Sequence, residues 1–236
     1  MRAQDLINLQ KSRRKKKMKV LELFAGSRSI GKICDAKGHE VFSSDWKEFD
    51  GIDYAVNILD FRPSEVPFVP DVIWASPPCT TLSVASIGKY WNKDGTPKHE
   101  KSEVGMQLLS RTILIIEHFQ NINPNLVWYI ENPRGMMRKM KIWDWMPHVR
   151  HTVTYCQYGD KRMKPTDIWT NDKSWTPKPA CKNGAPCHVS APRGSRTGTQ
   201  GLKGNYERSI IPQKLCEEII ESAWHTYQRK TEALLK

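Results

Sequence analysis

The sequence predicts an α/β protein whose parallel sheet is wrapped on both faces by helices. Two observations carry this expectation. Short apolar runs of strand length alternate with segments of helical period through residues 18–131. The apolar runs also end on a glycine turn, on carboxylates or on a proline-cysteine step, not on hairpin turns.

The elements follow in order. Lys19–Phe24 reads as a short buried strand, and Ala25-Gly26 turns it into a helix of about ten residues ending near Gly38. His39–Ser44 is a second strand stopped at Asp45, and residues 53–60 hold a third apolar segment with an acidic end. Residues 70–75 form a fourth strand closed by Ser76-Pro77-Pro78-Cys79. Residues 103–120 carry helical spacing, and Leu126–Ile130 is a fifth strand. This is a Rossmann-like core over residues 18–150. A basic arm covers residues 1–17, and residues 151–205 form a small irregular basic lobe. The lobe opens with β-prone pieces at 152–157 and 166–170, then becomes rich in Pro, Gly, Lys and Arg over 172–205. Residues 206–236 contain an amphipathic helix, 210–231, expected to pack back on the core.

Composition fixes the class. The 236 residues are 39% hydrophobic and 26% charged, as expected of a soluble globular protein able to bury a core. No apolar run approaches the roughly 18 residues of a membrane span, and the first five residues carry charge before any apolar signal core. Cys34, Cys79, Cys156, Cys181, Cys187 and Cys216 are too scattered for a disulfide scaffold. A cytoplasmic protein, acting as a monomer and in the host cell cytoplasm if viral, is the expectation.

The net charge of +12 is segregated. Residues 20–131 carry ten basic and fifteen acidic side chains, whereas residues 132–208 carry fifteen basic and five acidic. A basic half interleaved with Trp, Tyr and Gly suits a polyanion, because phosphate neutralisation releases counterions. A solvated basic face without a partner is the competing reading.

Ligands of such sheets bind beyond the carboxyl ends of the strands. Phe24 and Gly26 leave the first, Asp45 and Trp46 the second, Asp60 the third, residues 76–79 the fourth, and Glu131-Asn132 the fifth. A carboxylate at Asp45 could accept ribose hydroxyls, Trp46 could stack on a purine, and Asp60 could accept from an adenine amino group. Together they outline a pocket for an adenosine ligand. Cys79, held by two prolines and next to an expected helix start, reads as a nucleophile with its thiolate favoured. Glu131 could donate a proton to a ring nitrogen in the same pocket.

These residues resemble the motifs of the cytosine-C5 DNA methyltransferase family, in a compact form similar to short phage- and virus-type members. Leu23-Phe24-Ala25-Gly26, with Ser27, resembles the first S-adenosyl-L-methionine motif; Asp45-Trp46 resembles the second and Leu59-Asp60-Phe61 the third. Ser76-Pro77-Pro78-Cys79 resembles the nucleophile motif, and Ile130-Glu131-Asn132 the Glu-Asn motif. Residues 161–164 resemble the basic Arg-x-Arg element, giving Arg162 and Lys164, and Ser209–Pro212 resembles the closing motif. Arg28 stands where the family usually has a glycine, so the cofactor loop is expected to bend differently. Lys164 stands where a second arginine is usual, and a point charge replaces a planar fork.

The resemblance implies that S-adenosyl-L-methionine is bound by Phe24, Ala25, Gly26, Ser27, Asp45, Trp46, Asp60, Phe61, Ser76, Pro78 and Ser209. It implies that a cytosine flipped from double-stranded DNA is attacked at C6 by Cys79 while Glu131 acts at N3. Asn132 would hold the cysteine loop, and Arg162 would contact the base or fix Glu131. Residues 80–95, with Ser83, Ser86 and Lys89, read as a mobile loop closing on DNA. Arg193, Arg196 and Lys203 are expected to contact DNA from the basic lobe. A transfer-RNA methyltransferase and a non-catalytic nucleic-acid-binding relative remain open, and an amino-methyltransferase is disfavoured because Cys79 follows the two prolines. Finally, Cys156, Cys181, Cys187 and His188 could hold a structural zinc, although their spacing matches no common finger and free thiols are the other reading.

Overall fold

The computed structural model describes residues 17–189, 202 and 204–233. Along the chain run β1 (Lys19–Leu23), α1 (Ser29–Lys37), β2 (Glu40–Asp45), β3 (Tyr54–Ala55), β4 (Val72–Ala75), α2 (Ile87–Tyr90) and α3 (Glu100–Ile122). They are followed by β5 (Val127–Pro133), β6 (Val149–Thr154), β7 (Pro165–Thr170), α4 (Asn205–Ser209) and α5 (Gln213–Ala233). The strands form one sheet in the order β3-β2-β1-β4-β5-β7-β6. The first five in that order are parallel, while β7 runs antiparallel to both β5 and β6. The fold is Rossmann-like, with the strand order reversing direction between β1 and β4. Such a switch point opens a crevice at the strands' carboxyl ends.

The period of two along each strand divides the core. Leu21, Leu23, Ile73, Trp128, Ile130 and Trp169 face Leu109, Ile113, Ile116 and Phe119 of α3. Val20, Val72, Trp74, Val127, Tyr129 and Ile168 face the opposite way, against Ile30 and Cys34 of α1 and Leu215, Ile219 and Ala223 of α5. Both faces are therefore covered, which is why the central strands β4 and the start of β5 read as continuous apolar runs. Fully burying each such large side chain contributes about 1.5–3 kcal/mol. Gly38 ends α1 at φ 78°, where its N–H reaches the Asp35 carbonyl and the His39 N–H reaches that of Cys34.

Several expectations change. The third apolar segment is a strand only at Tyr54–Ala55, and Asp60 lies on a 3₁₀ turn, Ile58–Asp60, started by the Asn57 side chain. The boundary expected at residue 150 falls inside a strand, because β6 and β7 extend the main sheet instead of opening a separate lobe. Pairing with β7 also lengthens β5, so Glu131 and Asn132 sit within the strand, opposite Ile168 and Asp167. Cys79 does not precede a helix: its carbonyl accepts from the N–H groups of Leu82 and Ser83 in a tight turn, and α2 begins only at Ile87. The loop 80–95 is anchored, since Leu82, Tyr90 and Trp91 are buried and the Trp91 indole donates to the Thr81 carbonyl at 2.7 Å. Arg193, Arg196, Lys203 and residues 1–16 lie outside the described residues.

Candidate active site

The loop between β1 and α1 is built on left-handed backbone. Phe24, Gly26 and Arg28 have φ of 56°, 49° and 54°. Only glycine takes this region freely, and each other residue there costs of order 1 kcal/mol or more. Arg28, expected to alter the bend, itself adopts the conformation a glycine would favour. Its guanidinium folds back to Ser43 at 3.1 Å and Asp35 at 2.9 Å. A Cβ built on Gly26 would meet only Asp45 Oδ2 at 3.9 Å and the Phe24 carbonyl at 4.0 Å, which leaves a shallow cradle.

Asp45 ends β2 with both carboxylate oxygens held. Oδ2 accepts from the Gly26 N–H at 3.0 Å and Oδ1 from the Lys47 N–H at 3.1 Å. Burial pushes this carboxyl above its ordinary range, against the pull of those backbone bonds. Beside it Trp46 is 69% exposed, with the Lys47 ammonium 4.7 Å from its ring centre. Ser27 and Ser29 exchange a hydroxyl bond at 2.8 Å, and Ser29 also accepts the Ile211 N–H, which ties the loop to the segment before α5. Ser209 turns its hydroxyl onto the Tyr206 carbonyl. Ser76 accepts the Trp74 indole N–H at 2.8 Å. Asp60 and Pro78 are exposed, whereas Phe61 is wholly buried against Tyr54 and belongs to the core.

The second half of the site joins the β4 exit to β5. Asn132 is fully buried and its amide donates to the Pro77 carbonyl at 2.8 Å, so it fixes the backbone two residues before Cys79. Its Oδ1 is buried without a partner among the described residues. Gly135 brings the other flank of that loop close: a Cβ there would lie 2.0 Å from the Leu82 carbonyl oxygen. Ser83 pairs with Gly135 in an isolated bridge and meets Ser86 at 3.1 Å, while Lys89 is exposed.

Cys79 is exposed but closely surrounded by protein, and this desolvation raises its thiol; the Lys164 ammonium opposes the rise and Glu131 adds to it. The support for a thiolate therefore comes from Lys164 and not from a helix terminus. Glu131 is 5% exposed and accepts from the Tyr155 hydroxyl at 3.1 Å, with Lys164 Nζ at 3.9 Å. Lys164 is held by the Arg208 carbonyl at 2.9 Å and lies over the Tyr155 ring, 4.5 Å from its centre. Burial lowers its ammonium pKa, and Glu131 works in the other direction.

Arg162, expected to contact the base or help fix Glu131, has its hydrogen bonds elsewhere than on Glu131. Its fork closes on Asp160 and on the carbonyls of Glu207, Arg208 and Ile210, so it clamps the closing segment to the sheet. Tyr155 was not singled out from the sequence. A tyrosine in a β-prone stretch reads as core, and no spacing signals a carboxylate partner 24 residues upstream.

The residues present fit S-adenosyl-L-methionine: the Gly26 turn leaves β1 and lies against the Asp45 carboxylate that ends β2, the exposed Trp46 indole follows it, and the orphaned Asn132 Oδ1 lies by the Cys79 loop. No family model matches the chain. A probable DNA (cytosine-5)-methyltransferase of Frog virus 3 (isolate Goorha) is 31% identical over 225 residues, covering 86% of this chain and 99% of the relative. Among solved structures, a Spodoptera frugiperda DNMT2 mutant overlaps with TM-score 0.45 at 16% identity, covering 69% of this chain and 53% of that one. The Entamoeba histolytica methyltransferase EhMeth gives 0.44 at 13%, covering 71% and 58%.

Proposed function

The chain belongs to the cytosine-5 methyltransferase family, and on that premise we propose that it methylates C5 of cytosine in double-stranded DNA through a covalent adduct of Cys79. The observation that carries this reading is the convergence of Cys79, Glu131 and Lys164 at the β4 and β5 ends, with Asn132 bridging the two elements.

S-adenosyl-L-methionine, the family's methyl donor, supplies when bound an electrophilic methyl group on a sulfonium. The loop 24–27, Asp45 and Trp46 would hold it, with Trp46 stacking on the adenine. The cytosine ring edge is inaccessible in a stacked duplex, so the base must leave the helix to reach Cys79. The Cys79 sulfur adds to C6, which makes C5 nucleophilic. Glu131, held by the Tyr155 hydroxyl, keeps a proton at N3 as charge develops on the ring. Lys164 favours the thiolate before attack and balances Glu131. Asn132 sets the height of the cysteine loop through the Pro77 carbonyl. Once C5 carries the methyl, loss of the C5 proton to solvent expels the Cys79 sulfur from C6 and restores the aromatic ring. Basic residues after 132, including Arg193, Arg196 and Lys203, would neutralise phosphates around the flipped base.

The test is nucleoside mass spectrometry after incubating the full chain and S-adenosyl-L-methionine with duplex DNA or with transfer RNA. Methyl-5-cytosine in DNA, absent with Cys79→Ala, is the expected outcome. Methylation of transfer RNA alone would overturn the substrate, N4-methylcytosine would overturn the chemistry, and no product on either polymer would leave a binding protein.

A further inference from the structure

A second cluster lies outside the reaction centre. Cys156 sits on the 3₁₀ turn Tyr155–Tyr158 after β6, whereas Cys181, Cys187 and His188 come from the irregular stretch that follows β7. One ligand atom from each lies within 4.8 Å of all the others. Cys181 Sγ and Cys187 Sγ approach His188 Nδ1 at 3.7 and 3.6 Å. A tetrahedron with metal–sulfur bonds of about 2.3 Å and metal–nitrogen bonds near 2.05 Å has sulfur–nitrogen edges of roughly 3.6 Å. Cys156 Sγ and Cys181 Sγ are 3.1 Å apart, inside the roughly 3.8 Å sulfur–sulfur edge of that tetrahedron and well beyond a disulfide bond of about 2.05 Å.

Two further observations fit a metal at the centre. The Gln157 amide donates to Cys187 Sγ at 3.6 Å, the kind of outer bond that steadies a ligating thiolate. After Trp175, no residue of the described stretch up to Val189 is buried, so apolar packing does not fix it. A segment without a core is the usual place for a metal cross-link.

We propose that Cys156, Cys181, Cys187 and His188 bind one zinc ion as a structural site, with three thiolates and the Nδ1 nitrogen as ligands. Adjacent Cys187 and His188 both serve because the turn presents the thiol and the ring to the same point. The site pins the entry to the basic stretch onto the turn whose first residue, Tyr155, holds Glu131. The Cys181 N–H on Thr154 at 2.9 Å and the Val189 N–H on the Lys161 carbonyl at 2.9 Å fasten both ends of the pinned segment to the same region. The metal thus joins the recognition stretch to the catalytic carboxylate's support without touching substrate.

The experiment is metal analysis of the full chain, purified under reducing conditions without chelator and dialysed. Inductively coupled plasma mass spectrometry should find about one zinc per chain, and the Cys181→Ser/Cys187→Ser variant should lose at least nine-tenths of it. Cobalt exchanged into the wild type should give the visible bands of a tetrahedral site with thiolate-to-metal charge transfer. Wild type that is metal-free with titratable thiols would overturn the proposal, as would an intact mass two hydrogens lighter from a Cys156–Cys181 disulfide. Zinc retained equally by the double variant, an adventitious ion only, would overturn it too.

Discussion

Tyr155→Phe isolates the support of Glu131, the proposed catalytic carboxylate. The substitution removes one oxygen from a fully buried ring and leaves its packing against Lys164 and Val153 side of the core intact. What is lost is the hydroxyl bond to Glu131 Oε1 at 3.1 Å and the weaker approach of Lys164 Nζ at 3.4 Å. A hydrogen bond to a charged group is worth about 1.5–3 kcal/mol. At about 1.4 kcal/mol per decade, kcat should fall roughly ten- to a hundredfold. Affinity for S-adenosyl-L-methionine should stay within about twofold, because the loop 24–27 and Trp46 make no hydrogen bond to this ring. Single-turnover methyl transfer with labelled donor measures the first quantity and equilibrium binding the second. Tyr158→Phe is the control: it loses a bond to Glu218 at 2.9 Å on the far side of the same turn and should keep its rate. A Tyr155→Phe rate within twofold of wild type would refute the assignment, as would equal losses in both tyrosine variants.

Three further outcomes follow from the same geometry. Gly135→Ala must move the Leu82 carbonyl by more than 1 Å to relieve a 2.0 Å contact, so methyl transfer should drop at least tenfold with a lowered melting temperature, read by activity and calorimetry; wild-type values for both would contradict the close approach. Trp46→Ala removes an exposed stacking surface and should raise the donor's Kd about tenfold, in line with the roughly 1–3 kcal/mol of an aromatic–base stack, at unchanged stability in isothermal titration; an unchanged Kd would remove Trp46 from the site. Glu22, buried beneath the start of α1 and accepting the Ile30 N–H at 3.0 Å, has its pKa raised to about 7 by burial, against hydrogen bonds that pull it down. The folded state thus holds a proton that the unfolded state releases near pH 4.5, and stability falls as pH rises from there to about 7. Glu22→Gln should flatten that decline in denaturant titrations at pH 5 and pH 8, and parallel curves for variant and wild type would show that Glu22 does not contribute.

The parts of the fold legible from sequence were those decided locally. β1, β4 and β5 are mostly apolar because both faces of the sheet are covered, and Gly38 announces the end of α1 through its left-handed backbone. What the sequence left hidden depended on distant partners. β6 and β7 look like isolated β-prone pieces until β5 offers an edge, and that pairing draws Glu131 and Asn132 into the sheet. Cys79 was recognisable from its two prolines and its position, but the source of its electrostatic support was not. A turn replaces the expected helix start, and Lys164 arrives from the position just before β7, a strand placed only through tertiary pairing. Lys164 and not Arg162 approaches Glu131 for a comparable reason: Asp160, two residues before Arg162, captures its fork, while Lys164 at φ 27° turns inward. The four residues around the proposed zinc were visible as residue types, but their convergence required β6 and the stretch after β7 to be side by side.

The central claim is that Cys79 forms a bond to the cytosine ring. A duplex carrying 5-fluorocytosine tests it most directly, because fluorine at C5 cannot leave as a proton and the adduct cannot be resolved. With S-adenosyl-L-methionine present, denaturing electrophoresis should show a protein–DNA complex, and peptide mass spectrometry should locate the methylated base on Cys79. Methylation of ordinary cytosine without any trapped complex, or a complex that persists in Cys79→Ala, would contradict the account.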